Sequence, residues 1–113
     1  MHEVSIAQSL MDVVFETARK SGAKKINKVF VKIGRLQAVE SSSLMFAFDA
    51  LKDGTMAEEG ELIVENVPLT GKCMDCGNEN TFEQIFMQCP KCGSHAVKIL
   101  TGEELQITEI EVD

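Results

Sequence analysis

The chain has 113 residues, and its 18 Asp and Glu outnumber its 11 Lys and Arg, which gives a formal net charge of −7. This length fits one modest hydrophobic core with a small additional module. Nucleic-acid binding depends on clustered Lys and Arg, and membrane crossing needs about 20 consecutive apolar residues, so we expect neither a nucleic-acid nor a membrane partner.

The first predicted element is an amphipathic helix from about Val4 to Ser21. Ser5 and Gln8 match a capping box at its start, and Gly22 is typical of the residue just beyond a helix end. Apolar residues recur at the three-to-four spacing of one helical face. These residues are Ala7, Leu10, Met11, Val14 and Ala18.

A strand and a second helix follow. The β-branched segment Val29–Ile33 predicts the strand, which Gly34 ends. The helix is predicted from Ser41 or Ser42 to Lys52, with the serines as its caps. Its apolar face is predicted to contain Leu44, Phe48 and Leu51.

A second strand is predicted over Glu61–Val67 and is halted by Pro68. The segment from Leu69 to Leu100 then offers only scattered apolar side chains. Some thirty such residues cannot bury enough surface to offset their conformational entropy, because domains below about 40 residues usually need a metal or disulfides. We therefore expect a cross-link in this segment.

Two Cys-x-x-Cys pairs, each followed by glycine, supply that cross-link. Two such turns can offer four thiolates to one tetrahedral metal ion, and zinc is the usual occupant. Gly77 and Gly93 follow the pairs, where we expect positive φ or close approach to sulfur. The predicted zinc ligands are Cys73, Cys76, Cys89 and Cys92.

Iron is the alternative metal, because four thiolates suit it as well. Small iron electron carriers usually surround the iron with aromatic rings, and this chain has six Phe but no Trp and no Tyr. A closed four-thiolate zinc site has no open coordination position, so its role would be structural. Paired thiols without a secretory signal predict reduced cysteines and a cytoplasmic location.

The last predicted strand is Glu104–Val112, which we expect to pair antiparallel with the second strand. The strand–helix–strand unit favours a parallel, right-handed connection. The predicted fold class is α+β: a three-stranded mixed sheet backed by two helices, with an inserted zinc-ribbon domain. Residues 1–68 and 101–113 would form the α/β domain and residues 69–100 the insertion, with hinges at the junctions.

The amino terminus, Met1-His2-Glu3, is a candidate nickel site. A terminal amine, the His2 imidazole and nearby backbone amides can form fused chelate rings around Ni(II) or Cu(II), which favour nitrogen-rich square planes. The alternative is an exposed terminal histidine beside a helix whose dipole Glu3 complements. The residues alone leave both interpretations open. His95, the other histidine, is interpreted as exposed, with a role beside the zinc as the alternative.

The whole chain resembles the hydrogenase nickel-incorporation protein family (HypA), whose members are small nickel metallochaperones. The resemblance rests on two features that occur together, the terminal Met1-His2-Glu3 and the later pair of Cys-x-x-Cys motifs. Further matching segments are Lys32-Ile33-Gly34, Val39-Glu40-Ser41, Phe46-Ala47-Phe48, Gly54-Thr55-Met56-Ala57-Glu58 and the closing strand from Leu105 to Val112.

This resemblance implies two metals, Ni(II) at the terminus and Zn(II) on the four cysteines. Nickel would bind through Met1, His2 and Glu3, and Glu40 matches an acidic position linked to the nickel site. The implied partners are a nickel-handling accessory GTPase and the hydrogenase large-subunit precursor. The implied activity is delivery rather than catalysis, and no phosphate-binding loop or available nucleophile is present. The rival interpretation is a zinc-ribbon interaction adaptor that transfers no nickel.

Overall fold

The computed structural model describes residues 2–113. Residues 2–113 form two α-helices, one 3-10 helix and six β-strands. In chain order these are α1 (His2–Lys20), β1 (Ile26–Gly34), the 3-10 helix (Arg35–Gln37), α2 (Ser41–Leu51), β2 (Glu61–Val67), β3 (Leu69–Cys73), β4 (Glu79–Phe82), β5 (Val97–Thr101) and β6 (Leu105–Val112).

Helix α1 begins at His2, two residues before its predicted start. Ser5 therefore lies inside the helix, and the predicted capping box is wrong. The predicted apolar face is confirmed, because Ala7, Met11, Val14 and Ala18 are buried. The helix ends at Lys20, and Gly22 has a φ of 76°, as expected of a residue just beyond a helix end.

Helix α2 is capped by Glu40 rather than by a serine. The Glu40 carboxylate accepts a hydrogen bond from the backbone N–H of Ser42 at 3.3 Å, and Ser41 is already helical. The predicted serine cap is therefore wrong by one residue, because the carboxylate satisfies the free first-turn N–H. The helix buries Leu44, Ala47 and Phe48.

The first sheet is three-stranded and mixed, in the order β2-β1-β6, so β1 is central. The prediction that the last strand pairs with β2 is wrong. The Gly34 N–H donates to the Glu104 carbonyl at 2.7 Å and the Asp113 N–H donates to the Lys25 carbonyl at 2.9 Å, so the last strand runs antiparallel to β1. β1 has five buried residues, whereas β2 has one and β6 has none, so the most buried strand takes the central position and the two more exposed strands take the edges.

Strands β4, β3 and β5 form a second antiparallel sheet, with β3 in the centre. The chain divides into two compact units. One comprises the residues up to Lys32, Val39–Glu65 and Gln106–Asp113, and the other comprises Ile33–Ala38 and Asn66–Leu105. The predicted limits at residues 69 and 100 fall inside the second unit, and they stay a prediction of where an independently folding insertion begins and ends.

The predicted hinges lie at hydrogen-bonded strand ends within the second unit. The Thr101 hydroxyl donates to the Pro68 carbonyl at 2.8 Å, and Thr70 Oγ1 lies 2.6 Å from Thr101 Oγ1. A Cβ placed on Gly34 would lie 2.1 Å from the Gly102 carbonyl carbon, so backbone packs directly on backbone there. These contacts join the two predicted hinge segments, Pro68–Gly71 and Thr101–Gly102, to each other, and the hinges stay a prediction.

Candidate metal sites

The four cysteines predicted to bind one metal lie together. Their Sγ atoms are all within 4.8 Å of one another. Cys73 and Cys92 Sγ are 3.5 Å apart, and Cys76 and Cys89 Sγ are 3.6 Å apart. A tetrahedral ion with metal–sulfur bonds of about 2.3 Å separates its sulfurs by roughly 3.8 Å. The donor set and its spacing therefore fit one tetrahedral thiolate-bound ion.

Two matched turns present these sulfurs. After β3 ends at Cys73, the N–H of Gly77 donates to the Cys73 carbonyl at 2.8 Å; the N–H of Gly93 donates to the Cys89 carbonyl at the same distance. Both glycines have a φ of 78°, which confirms the predicted positive φ. A side chain there would strain the turn, because L-residues rarely adopt this conformation.

Backbone donors prepare the first sulfur of each turn for metal binding. The N–H of Cys92 is the main cause that lowers the pKa of Cys89 to about 7, and the N–H of Cys76 lowers that of Cys73. The N–H of Ser94 also lowers the pKa of Cys92, but hydrogen bonds with the other three sulfurs and partial burial outweigh it and raise that pKa to about 12. Without a cation the cluster therefore keeps protons that a metal must displace.

A side-chain bridge joins the two turns. The Ser94 hydroxyl donates a short hydrogen bond to the Asp75 carboxylate and accepts one from the Ala96 N–H at 3.0 Å. Such outer contacts orient metal ligands. Sequence reasoning missed this pair, although both residues lie next to the Cys-x-x-Cys motifs. His95 is exposed, as interpreted, and its side chain makes no hydrogen bond or ion pair within residues 2–113.

The residues predicted for nickel also come together, at the starts of the two helices. His2 Nε2 lies 3.4 Å from Glu3 Oε2. The same Glu3 oxygen accepts a hydrogen bond from the backbone N–H of Glu40 at 3.3 Å. The Glu40 carboxylate in turn accepts from the Ser42 N–H and hydroxyl. Met1, the fourth predicted residue, lies outside the described residues.

Both carboxylates of this cluster are held in the ionised form. The N–H of Glu40 is the main cause that lowers the pKa of Glu3, and the hydroxyl of Ser42 is the main cause that lowers the pKa of Glu40. The His2 side chain is 54% exposed. Because the first four N–H groups of an α-helix lack intrahelical acceptors, the backbone nitrogens of His2 and Glu3 could bind a metal without breaking helical hydrogen bonds.

A family model described as "Hydrogenase/urease nickel incorporation, metallochaperone, hypA" matches residues 1–112. The chain belongs to the HypA family. A hydrogenase maturation factor HypA of Aquifex aeolicus is 47% identical over 115 residues and is covered completely, as is this chain. One from Rhizobium leguminosarum bv. viciae is 38% identical, with 99% of each chain covered.

Solved HypA structures share the fold. The solution structure of the nickel metallochaperone HypA from Helicobacter pylori has a TM-score of 0.66 at 28% identity, covering 97% of this chain and 96% of that one. A second solution structure of a HypA protein has a TM-score of 0.71 at 29% identity, with 99% and 96% covered. The predicted resemblance and fold class are both confirmed. Within residues 2–113, no helix has the length and apolar character that a membrane crossing requires.

Proposed function

We propose that this protein is a nickel metallochaperone that binds Ni(II) at its amino terminus and delivers it during maturation of [NiFe]-hydrogenase. The observation that carries the proposal is that His2 and Glu3, in the first turn of α1, meet Glu40, the residue that caps α2. Family membership supports it, because relatives of this chain are named hydrogenase maturation factors and nickel metallochaperones.

Nickel(II) favours nitrogen-rich planar coordination, which the Met1 amine, the His2 imidazole and the first-turn backbone nitrogens would supply. Glu3 would orient the imidazole, since its carboxylate lies 3.4 Å from His2 Nε2. Glu40 would hold Glu3 in place through its backbone N–H. Carboxylates that orient a metal-bound histidine raise its basicity and affect metal affinity.

Zinc on Cys73, Cys76, Cys89 and Cys92 would be structural. The four-sulfur arrangement fits a closed tetrahedral shell, which leaves no position for a substrate or a reactive water. When bound, this ion would supply folding free energy to a segment with little apolar core of its own. The cysteines would therefore stabilise the second unit, and His2 would handle the cargo.

Nickel delivery would occur in the cytoplasm by ligand exchange and not by catalysis. The proposed partners are a nickel-handling accessory GTPase, which would hand nickel on or receive it, and the hydrogenase large-subunit precursor. The half-exposed imidazole of His2 supports this role, because incoming ligands can reach it directly.

The test uses the two histidines of the chain as a matched pair. Untagged His2→Ala and His95→Ala proteins are titrated with Ni(II) while the planar nickel absorption band is followed and zinc content is measured. We expect His2→Ala to lose nickel binding and His95→Ala to keep it, with zinc retained in both. Unchanged nickel affinity in His2→Ala would overturn the proposal and favour the zinc-ribbon adaptor.

A further inference from the structure

Helix α2 has a second apolar face that the fold leaves uncovered. Seven of its eleven residues are apolar, and only Leu44, Ala47 and Phe48 are buried. Phe46 is 75% exposed and Met45 is exposed as well. An amphipathic surface helix normally buries one stripe and presents polar residues on the other side, so this exposed aromatic face is unusual.

A cavity of about 750 Å³ runs along that face, between the first turn of α1 and α2. Its apolar lining includes Val4 from α1 and Phe46, Ala50 and Leu51 from α2. Phe46 and Ala50 are four residues apart, so they occupy the same side of the helix. This groove is large enough for one or two bulky side chains of another polypeptide.

Glu3 lines the same groove and gives it a polar end. Its carboxylate lies 3.4 Å from His2 Nε2 and accepts a hydrogen bond from the Glu40 N–H. A polypeptide in the groove would therefore lie next to the proposed nickel ligand. A partner bound there would hold its own metal ligands close to the proposed nickel ligand, so nickel transfer would take place within one complex.

The described residues that line the groove include one charged side chain, that of Glu3, and the backbone of Glu40 contacts it. Residues 40–53, which comprise α2 and its two ends, contain three carboxylates and one lysine. That lysine, Lys52, already pairs with Asp49 at 3.0 Å and donates to the Gly60 carbonyl. Electrostatic complementarity therefore favours a cationic partner, and it disfavours a second copy of this acidic surface.

We propose that the groove binds an amphipathic, Lys- or Arg-rich helix of the protein that exchanges nickel with this chain. This inference rests on the proposed function for the identity of the partner protein. An apolar side chain of the partner would fill the groove beside Phe46, and its cationic residues would face the carboxylates of the rim. Laying a helix into an apolar groove is a common mode of peptide recognition.

The experiment compares Phe46→Lys with Val13→Lys. Val13 is also exposed, at 53%, and also lies on a helix, but it does not line the groove. Both variants gain one positive charge and neither disturbs the core, so both should fold. The probe is a fluorescent 14-residue helical peptide with leucines at i, i+3, i+4 and i+7 and lysines elsewhere, and the control peptide has glutamates in place of the lysines.

We expect Phe46→Lys to weaken binding of the lysine peptide at least about tenfold, as loss of a central anchor residue does, and Val13→Lys to weaken it less than about twofold. The glutamate peptide should not bind. Nickel transfer to purified hydrogenase large-subunit precursor should slow in Phe46→Lys alone. Equal effects of the two substitutions, or equal binding of the two peptides, would overturn the proposal.

Two further measurements separate the possible failures. Sedimentation of the wild type tests the other occupant: a dimer that Phe46→Lys dissociates would assign the groove to a second copy and overturn the proposal. Nickel titration of the wild type and of both variants tests the proposed function separately. Absence of nickel binding in the wild type would contradict the proposed function, whereas intact nickel binding without peptide discrimination would contradict only the groove.

Discussion

The cysteine cluster presents its ligands on two hydrogen-bonded turns, and two of the four, Cys73 and Cys89, are only 1% exposed. The His2 cluster presents its proposed ligands at the first turns of two helices, with its imidazole open to solvent. Burial and fixed geometry slow ligand exchange, whereas exposure permits it. Under the proposed function, this difference would let one small chain keep one metal and release another. Four predictions test this comparison.

Removing one buried sulfur should have the largest effect. In Cys73→Ser we expect the zinc content to fall from one ion per chain to none and the second unit to lose its NMR dispersion, because metal binding there supplies folding free energy. Helices α1 and α2 should persist, since their core contains no cysteine. Met74→Ala, at the exposed neighbouring position, is the control. An ordered metal-free 69–100 segment would contradict the prediction.

Acid should have the second-largest effect. As pH falls, zinc should be released before the contacts of Glu3 and Glu40 are lost. Zinc must displace protons from the thiols, so its affinity should fall about tenfold per pH unit for each proton displaced, and the fall should steepen below about pH 7, where Cys89 also takes up a proton. Chelator competition at pH 6, 7 and 8 measures this. Glu3 and Glu40 have lowered pKa values, so the helix contacts they make are complete above pH 4.5 and are lost only as pH falls below it. Amide shifts of Glu40 that followed zinc release would contradict this separation.

The bridge between the turns should have a smaller effect. Asp75→Asn and Ser94→Ala should each weaken zinc binding about 10- to 100-fold, as loss of an outer-shell hydrogen bond typically does. Because both residues form one bond, the double variant should resemble the single ones. Competition with a chromogenic chelator measures how much each substitution weakens zinc binding. Additive effects would show that the two side chains act separately.

The smallest effect should come from Glu40, and it distinguishes a cap from a metal-site carboxylate. Glu40→Ser retains a good capping oxygen, whereas Glu40→Ala does not. We expect the alanine variant to lower the melting temperature and to weaken nickel binding by less than about tenfold, because it loosens the turn whose N–H holds Glu3, and we expect the serine variant to change neither. Weaker nickel binding in the serine variant would show that the Glu40 carboxylate acts on the metal site itself.

Residue periodicity was sufficient to predict both α-helices and strands β1, β2 and β6, but not strands β3, β4 and β5 or the pairing of the strands. The three-to-four spacing in α1 and the β-branched run in β1 arise from local burial and can be read directly. Which strand takes the centre depends on the burial of all strands together. β1 is central because it contributes Val29, Val31 and Ile33 to the core. A pattern within one strand does not show how its burial compares with that of the other strands.

The cysteines were predictable because their spacing is itself the geometry of the site, whereas long-range side-chain contacts were not. Arg35 donates to the Glu83 carbonyl at 2.9 Å, and Gln37 donates to the Glu103 carbonyl at 2.7 Å, across 48 and 66 residues. These bonds lie within the second unit, whose Ile33–Ala38 segment was predicted to belong to the α/β domain. Nothing in the short segment itself identifies its distant partners.

The threonine pair at the base of strands β3 and β5 should allow the cysteine segment to be transferred to another protein as one unit. Thr70 and Thr101 face each other in the strand register, so the two ends of the intervening chain are adjacent neighbours in one antiparallel ladder. Any hairpin with the same strand spacing offers two such attachment points. Residues 70–101 could therefore be grafted onto another protein as a metal-dependent hairpin tip, ordered by zinc and loosened by a chelator.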